Sequence, residues 1–146
     1  MRYIDLHVHS NCSDGTFSPE ELVVLGIKQE LVAFALTDHD TISGVERAIK
    51  KAEEFDNKIQ VIPGMELSCK YTISSSQSVE IHMLGYRYDI HNKKLIATLE
   101  DISNERDERN RKMCSNLQNA GFPISYDMLC ERFGDTILTR AHFARL

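Results

Sequence analysis

The sequence lacks the features that would assign it to several large classes of protein. No apolar run approaches the length of a transmembrane helix, and no basic segment with a cleavable apolar stretch precedes the first apolar strand. The four cysteines are far apart and form no C-x-x-C pair, a distribution typical of reduced thiols in a chain without a secretory signal. We therefore expect a cytoplasmic protein that does not interact with membranes.

An excess of basic residues is also missing. Lysine and arginine number 17 against 22 aspartates and glutamates, which gives a formal net charge of -5. This balance argues against electrostatic binding to long duplex DNA, although it is compatible with a local basic pocket. The 146 residues are 42% hydrophobic and 27% charged, a composition typical of one globular domain with a real core.

The segment from Ile4 to Gly15 carries two histidines in an apolar alternation. Because side chains of a strand alternate between its faces, His7 and His9 should point to the same side. Asp14 follows on a Ser-Asp-Gly turn, where a carboxylate can reach the same ion as the two imidazoles. The pattern H-x-H-x4-D therefore indicates a metal site, although two histidines on one strand are also compatible with a structural role. Cys12 lies inside the motif, and a small buried filler is favoured for it over a ligand.

The first 90 residues alternate between segments typical of strands and of helices. Residues 18–21, Ser-Pro-Glu-Glu, combine a helix cap, a proline suited to the first turn and the glutamate of a capping box. Residues 31–36 form a continuous apolar run, as in a buried parallel strand. The resulting β-α-β-α-β order predicts a parallel sheet with right-handed crossovers. The predicted elements after the first strand are a helix over 18–29, a strand over 31–36, a helix over 43–55, a strand over 59–62, a hairpin loop over 72–78 and a strand over 79–88.

Residues capable of chemistry follow or end each predicted strand. Asp38, His39 and Asp40 come after the second strand, Glu66 follows the third, and His82 lies in the fourth. In parallel sheets and barrels, ligands and catalysts collect where the strands end at their carboxyl edge. Packing alone is a poor explanation for so many histidines and carboxylates at one edge, so the pattern favours a functional site there.

After Asp89 the sequence pattern changes from alternating strands and helices to segments typical of helices. Asn92 is typical of the start of a long helix that Gly121 would end, and residues 126–133 and 139–146 read as two short helices. Arg106 and Arg109 fall on the same stripe of the long helix as its apolar residues. Two interpretations stay open: a solvated face with ion pairs, or guanidinium groups that grip the oxygens of a phosphate.

Four stretches, DLHVHSNCSDG, ALTDHDT, PGMELS and EIHMLGY, resemble in sequence and order the PHP (polymerase and histidinol phosphatase) superfamily of metal-dependent phosphoesterases. ERDERNRKMCSNLQNAGF and LTRAHFARL are similar to the branch that includes RNase AM and the nucleoside 3',5'-bisphosphate phosphatases. The resemblance implies an α/β fold, a distorted (β/α)7 barrel with an all-helical insertion after its fourth strand. Residues 1–90 would be the barrel half and residues 91–146 the start of the insertion, because the later histidine motifs of the family do not occur here.

The same resemblance implies a metal centre with up to three divalent ions, often manganese. Histidine and carboxylate ligands together suit manganese, iron or zinc better than calcium, and magnesium is a further alternative. One ion would lie at His7, His9 and Glu66, a second at Asp14 and His39, and a third at His82. The implied metal ligands, which are also the catalytic residues, are His7, His9, Asp14, His39, Glu66 and His82.

The implied reaction is hydrolysis of a nucleotide phosphate ester by a metal-activated water, with a 3',5'-bisphosphate nucleotide or a short 5'-phosphorylated RNA as substrate. Arg106, Arg109, Arg140 and His142 are the expected donors to a second, non-scissile phosphate. The alternative is that the arginines only form ion pairs with Glu105, Asp107, Glu108 and Glu131.

Two other functions stay open from the sequence. An inactive N-terminal fragment could act only as a metal-binding or interaction module, because ligands of the complete family centre are missing. A different metallohydrolase activity, such as amidohydrolysis, is the other alternative. An open sheet edge in a half barrel also predicts possible self-association.

Overall fold

The computed structural model describes residues 3–146, which form four strands and five helices. The strands form one sheet in the order β1-β2-β3-β4. In chain order the elements are β1 (Tyr3–Val8), α1 (Pro19–Lys28), β2 (Leu31–Leu36), α2 (Val45–Glu53), β3 (Gln60–Ser74), β4 (Gln77–Tyr86), α3 (Lys93–Asn119), α4 (Tyr126–Phe133) and α5 (Arg140–Arg145).

The alternation of strands and helices predicted for the first part of the chain is confirmed. β1 pairs with β2 and β2 with β3, in both cases parallel. Helix α1 has the predicted capping box, in which the Ser18 hydroxyl accepts from the Glu21 backbone and the Glu21 carboxylate accepts from the Ser18 backbone. Helix α2 starts two residues later than predicted, at Val45, because Ser43 does not cap it and Gly44 is its N-cap residue.

The third strand is much longer than predicted. β3 leaves its partner β2 at Pro63 and continues to Ser74 as one arm of an antiparallel hairpin with β4. The predicted hairpin is confirmed, but its loop is shorter than the predicted 72–78, since Thr72 pairs with Ser78 and Ser74 with Gln77. Polar, serine-rich residues are compatible with a strand when both faces of the hairpin are largely exposed, as they are at this tip.

The main core lies between the parallel strands and helices α1 and α2. Phe34, Leu36, Val23 and Ile59 are fully buried there. The sheet is also curled, so that its two outer strands meet. The Tyr86 hydroxyl at the end of β4 donates to the Leu6 carbonyl oxygen of β1 at 2.8 Å. This curl places the polar inner sides of β1, β3 and β4 opposite one another.

Residues 93–146, termed the helical segment below, pack against the loops that follow the strands. Asn92 caps α3 and Gly121 has a positive φ of 91° just after it, as the sequence predicted. The segment has a small core of its own around Leu129, and it also binds the first loop of the sheet. The Thr136 hydroxyl donates to the Ser13 carbonyl oxygen at 2.8 Å.

Within residues 3–146 no helix has the length and apolar character that crossing a membrane requires.

Candidate metal centre

His7 and His9 both reach one carboxylate inside the curled sheet. Their Nε2 atoms lie 2.8 and 2.9 Å from Oε2 of Glu66, and their ring centroids are 5.1 Å apart. The two histidines thus share one side of the chain, as the alternation in the sequence predicted. Glu66 lies on β3, so the contact spans the interior of the sheet.

A tight loop places Asp14 beside Nδ1, the second ring nitrogen of His9. Oδ1 of Asp14 lies 3.1 Å from Nδ1 of His9, and Oδ2 lies 3.6 Å from Nε2 of His39. Gly15 is required for this loop, because a Cβ at that position would lie 2.2 Å from the His9 carbonyl oxygen. The glycine therefore allows the backbone to approach closely enough for Asp14 to face the two imidazoles.

His39 follows β2 and forms a parallel bridge with Glu66. The Asp40 backbone N–H donates to the Glu66 carbonyl oxygen at 3.1 Å, and the Glu66 N–H donates to the Asp38 carbonyl oxygen at 3.2 Å. Nδ1 of His39 is buried without a hydrogen-bond partner and lies 3.8 Å from Oε2 of Glu66. A buried nitrogen lone pair opposite a carboxylate oxygen is the arrangement that a shared metal ion would satisfy.

Glu66 corrects the expectation that it follows the third strand, whereas His82 lies within the fourth strand as predicted. Glu66 is in the middle of β3 and His82 in the middle of β4, where it pairs in register with Ser68. Nδ1 of His82 lies 2.7 Å from Oε1 of Glu66. The inner face of the hairpin brings them to the site, and the strand ends bring the other four residues.

The six residues form three overlapping groups of ligand atoms, and in each group the atoms lie within 4.8 Å of one another. His9, His39 and Glu66 each belong to two groups. Four imidazoles and two carboxylates are a donor set suited to first-row divalent ions such as manganese, iron or zinc. The groups of the cluster are His7, His9 and Glu66; His9, Asp14 and His39; and His39, Glu66 and His82.

The electrostatics of the cluster keep its carboxylates ionised. Burial alone would raise the pKa of Glu66, but hydrogen bonds with His7 and His82 outweigh it and leave this pKa lowered. The hydrogen bond with His9 likewise holds the pKa of Asp14 well below its usual value. Burial lowers the pKa of His39, which favours the neutral imidazole that a metal needs.

His9 behaves in the opposite way to His39. Burial lowers its pKa, but the hydrogen bond with Asp14 and the charges of Asp14 and Glu66 outweigh burial, so its pKa is raised. In the metal-free protein, a proton on His9 therefore stabilises the two carboxylates that a metal ion would otherwise neutralise.

Asp38 and Asp40 have structural partners instead of facing the cluster. Asp38 accepts from the Ser10 N–H at 2.7 Å and from the Ser10 and Ser13 hydroxyls at 2.6 Å. Asp40 accepts from Arg106 and from the Ser68 N–H. Sequence reasoning grouped both with His39 as polar residues after a strand, and it had no signal for their partners, which lie 25 or more residues away in the chain.

A basic cavity of about 170 Å³ opens beside the cluster. Arg109 and Arg140 line it, and both face Glu80, with nitrogen-to-oxygen distances of 3.8 and 3.0 Å. Nε of Arg109 is buried without a hydrogen-bond partner. Within the described residues 3–146, no ion pair joins the four predicted donors to Glu105, Asp107, Glu108 or Glu131.

The other two predicted phosphate donors occupy different positions. Arg106 lines the cavity, but its Nε and Nη2 donate to Asp40. His142 is buried, with its ring against Phe133, and its Nδ1 accepts from the Thr139 N–H at 2.9 Å. The structure does not bring His142 into the cavity, and instead places it behind Thr139, whose hydroxyl donates to Asp14.

Comparisons with known proteins identify similar sequences and structures. The family model of the PHP domain matches residues 5–134. A 5'-3' exoribonuclease of Haemophilus influenzae is 37% identical over 97% of this chain and 48% of its own length. A 3',5'-nucleoside bisphosphate phosphatase of Chromobacterium violaceum is 33% identical over 99% of this chain and 49% of its own length. The chain thus spans about half the length of these curated relatives.

Two solved structures share the fold, each with a TM-score of 0.82 over 97% of this chain and 48% of the other. One, 30% identical, is described as a metal-dependent phosphoesterase from Bifidobacterium adolescentis. The other, 32% identical, is described as an amidohydrolase from Chromobacterium violaceum with bound sulfate and no metal.

Proposed function

This chain belongs to the PHP domain family, and on that basis we propose that it forms the metal-binding part of a phosphoesterase active on phosphorylated nucleotides. The observation that carries the proposal is the set of three overlapping ligand groups beside a basic cavity. A metal cluster and an anion-binding cavity together fit a phosphate ester better than an uncharged substrate.

Glu66 is the residue best placed to join neighbouring ions. Its Oε2 faces His7 and His9, and its Oε1 faces His82 at 2.7 Å. Glu66 would therefore hold metal together with His7 and His9 through Oε2 and together with His82 through Oε1. His9 and His39 also belong to two groups each, with a different ring nitrogen in each group. An imidazole that coordinates through one nitrogen, however, would hold only one ion.

Divalent ions in this cluster, manganese, iron, zinc or magnesium, would lower the pKa of an attacking water and neutralise the scissile phosphate. The protein's own contribution is to hold ionised carboxylates and neutral imidazoles in place. His7 is half exposed, whereas Glu66 is buried, so solvent can reach the cluster from the side of His7. A substrate would approach from the cavity on the side of His39 and His82.

Arg109 and Arg140 would bind a second phosphate in the cavity. Within residues 3–146, Nε of Arg109 has no hydrogen-bond partner, and the largely exposed Arg140 side chain pairs only with Glu80. A phosphate between them would accept charge-assisted hydrogen bonds and compete with Glu80 for both guanidinium groups. A substrate with two phosphates fits this arrangement, in agreement with relatives named as a bisphosphate phosphatase and an exoribonuclease. We therefore propose a 3',5'-bisphosphate nucleotide or a short 5'-phosphorylated RNA.

Two other functions have specific support. The structural relative described as an amidohydrolase favours amide hydrolysis by the same cluster. The three ligand groups would by themselves support a metal-binding or interaction module without activity of its own. These alternatives differ in products and can be separated in one assay.

The test is release of inorganic phosphate from a 3',5'-bisphosphate nucleotide by the purified chain with added manganese. His7→Ala combined with His9→Ala should abolish release and lower the manganese content measured by elemental analysis. His91→Ala is the matched control, because His91 is exposed and outside the cluster. Unchanged metal content in the double variant would contradict the metal site. Bound metal without phosphate release would favour the binding module, and cleavage of amide substrates alone would favour the amidohydrolase.

A further inference from the structure

Arg106 is an arginine of α3 whose side chain is buried against the metal cluster. Only 6% of the residue is exposed. Its Nε donates to Oδ2 of Asp40 at 2.7 Å, and its Nη2 donates to the same oxygen and to the Ser68 hydroxyl, the latter at 2.7 Å. One guanidinium group thus connects the helical segment to the loop after β2 and to strand β3.

Asp40 receives this connection in an unusual conformation. Its φ is +51°, in the left-handed region that residues other than glycine rarely adopt. Its side chain is fully buried, and its Oδ1 accepts from the Ser68 N–H at 2.7 Å. Aspartate adopts this region more readily than most residues other than glycine. Here the backbone hydrogen bond to Glu66 and the side-chain contacts with Arg106 and Ser68 together fix the conformation.

The two segments that Arg106 joins carry two of the candidate metal ligands. His39 directly precedes Asp40, and Glu66 lies two residues before Ser68 on the same strand. The Asp40 N–H donates to the Glu66 carbonyl oxygen, and His39 and Glu66 form a backbone bridge. The backbone bridge beside the 3.8 Å gap between His39 Nδ1 and Glu66 Oε2 thus lies next to both residues that Arg106 binds.

We propose that Arg106 is a positioning residue that acts through Asp40 and Ser68 to set the spacing of His39 and Glu66 for a metal ion. This inference rests on the metal site of the proposed function. It gives Arg106 a role different from that of Arg109, which lines the cavity and whose buried Nε has no hydrogen-bond partner within residues 3–146. Metal binding at His39 would then require that the helical segment packs on the sheet. Metal binding by the group of His7, His9 and Glu66 would depend less on this packing.

The role differs from that of a phosphate ligand because two of the three guanidinium nitrogens already have partners in the protein. Nε and Nη2 donate to Asp40, and Nη2 also donates to Ser68. A phosphate that took these two nitrogens from Asp40 would leave a buried carboxylate without its counter-charge, which is strongly unfavourable. Mutation of residues that orient metal ligands without binding the metal typically changes metal affinity by about 10- to 100-fold.

The test measures manganese binding by isothermal titration calorimetry in the purified 146-residue chain. Arg106→Lys keeps the charge but cannot span Asp40 and Ser68 with a planar fork. Arg106→Met with Asp40→Asn removes both charges and so avoids a buried unpaired carboxylate. Lys112→Met is the matched control, since it removes an exposed charge from the same helix. Thermal unfolding of the metal-free proteins, followed by circular dichroism, reports whether each variant folds.

Both Arg106 variants should fold and bind manganese about tenfold more weakly or worse at one class of site, with Lys112→Met unchanged. The visible spectrum of bound cobalt should also change in the Arg106 variants, since it reports ligand geometry independently of activity. Folded variants with wild-type affinity and spectrum would overturn the inference. Loss of folding in both would overturn it as well, because the pair would then be needed for folding and not for ligand spacing. If the unaltered chain binds no manganese, the proposed metal site itself is wrong.

Discussion

Nδ1 of His39 and Oε2 of Glu66 lie 3.8 Å apart, and the nitrogen is buried without a hydrogen-bond partner. Two ligands of one first-row ion, each about 2.1 Å from it, can be separated by up to about 4.2 Å. The gap is too long for a hydrogen bond and short enough for one ion. Asp14 and His39 are related similarly, with 3.6 Å between Oδ2 and Nε2. His39 is therefore within metal-sharing distance of both carboxylates, and metal binding can be tested through its contacts.

Glu66→Gln should weaken metal binding at the cluster. Glu66 belongs to two of the three ligand groups, and an amide is a poorer ligand than a carboxylate while having nearly the same shape. Elemental analysis after dialysis should show less bound manganese, with the fold retained. Glu80→Gln is the control, because Glu80 is a nearby glutamate outside the three groups. Equal metal content in the two variants would contradict the proposed role of Glu66.

Asp38→Asn should lower the free energy of unfolding by about 1.5 to 3 kcal/mol or more. Asp38 is buried and accepts hydrogen bonds from Ser10 and Ser13, and an amide would place an N–H₂ group against one of these donors. Urea unfolding of the metal-free protein measures the change. Asp101→Asn, at an exposed position of α3, should have little effect. A loss as small as that of the control would show that the loop between His9 and Asp14 does not depend on Asp38.

Manganese binding should weaken as the pH falls through the histidine range. The pKa of His9 is raised in the metal-free protein, so a proton occupies this ligand at a higher pH than is usual for histidine, and metal must displace it. Metal uptake near neutral pH should therefore release protons, which calorimetry in buffers of different ionisation enthalpy can detect. Affinity that stays constant between about pH 5.5 and 8 would contradict histidine ligation.

The metal-free fold should lose stability in acid through the same cluster. The pKa values of Asp14 and Glu66 are lowered on folding, so their contribution is present above their unfolded values and is lost as the pH falls. His9 has the opposite sign, because its raised pKa contributes stability at low pH that is lost as the pH rises. Asp14→Asn should flatten the acid side of a stability-against-pH curve measured by urea unfolding. An unchanged curve would mean that another carboxylate causes the acid loss.

Arg109→Met and Arg140→Met should each raise the dissociation constant of a 3',5'-bisphosphate nucleotide about tenfold or more, as expected for loss of charge-assisted hydrogen bonds of about 1.5 to 3 kcal/mol. Calorimetric titration of the manganese-loaded chain measures it without requiring turnover. A nucleotide with a single phosphate should bind the variants and the unaltered chain alike. Arg132→Met, on α4 outside the cavity, is the control. Equal affinity for the bisphosphate in all proteins would indicate that both arginines only form ion pairs with Glu80.

Local patterns in the sequence were sufficient where neighbouring residues decide the structure. The alternation around His7 and His9, the apolar run over 31–36 and the caps at Ser18, Asn92 and Thr139 each predicted an element that the structure confirms. The six candidate ligands could also be named, although their roles as metal ligands stay predictions. The boundaries of β3 could not, because its second half is stabilised by pairing with β4 and not by its own residues.

The sequence by itself determined the order of strands and helices, the type of residue available at the site and the resemblance to one family, because these depend on residues close together in the chain. Only the tertiary structure decided what each charged residue does. Arg106 and Arg109 lie on one stripe of α3 and are indistinguishable by periodicity, yet Arg106 is bound to Asp40, 66 residues away, and Arg109 lines the cavity and lies 3.8 Å from Glu80. His142 is likewise turned inward to Thr139. Such partners are set by how the helical segment packs on the sheet, which no local pattern encodes.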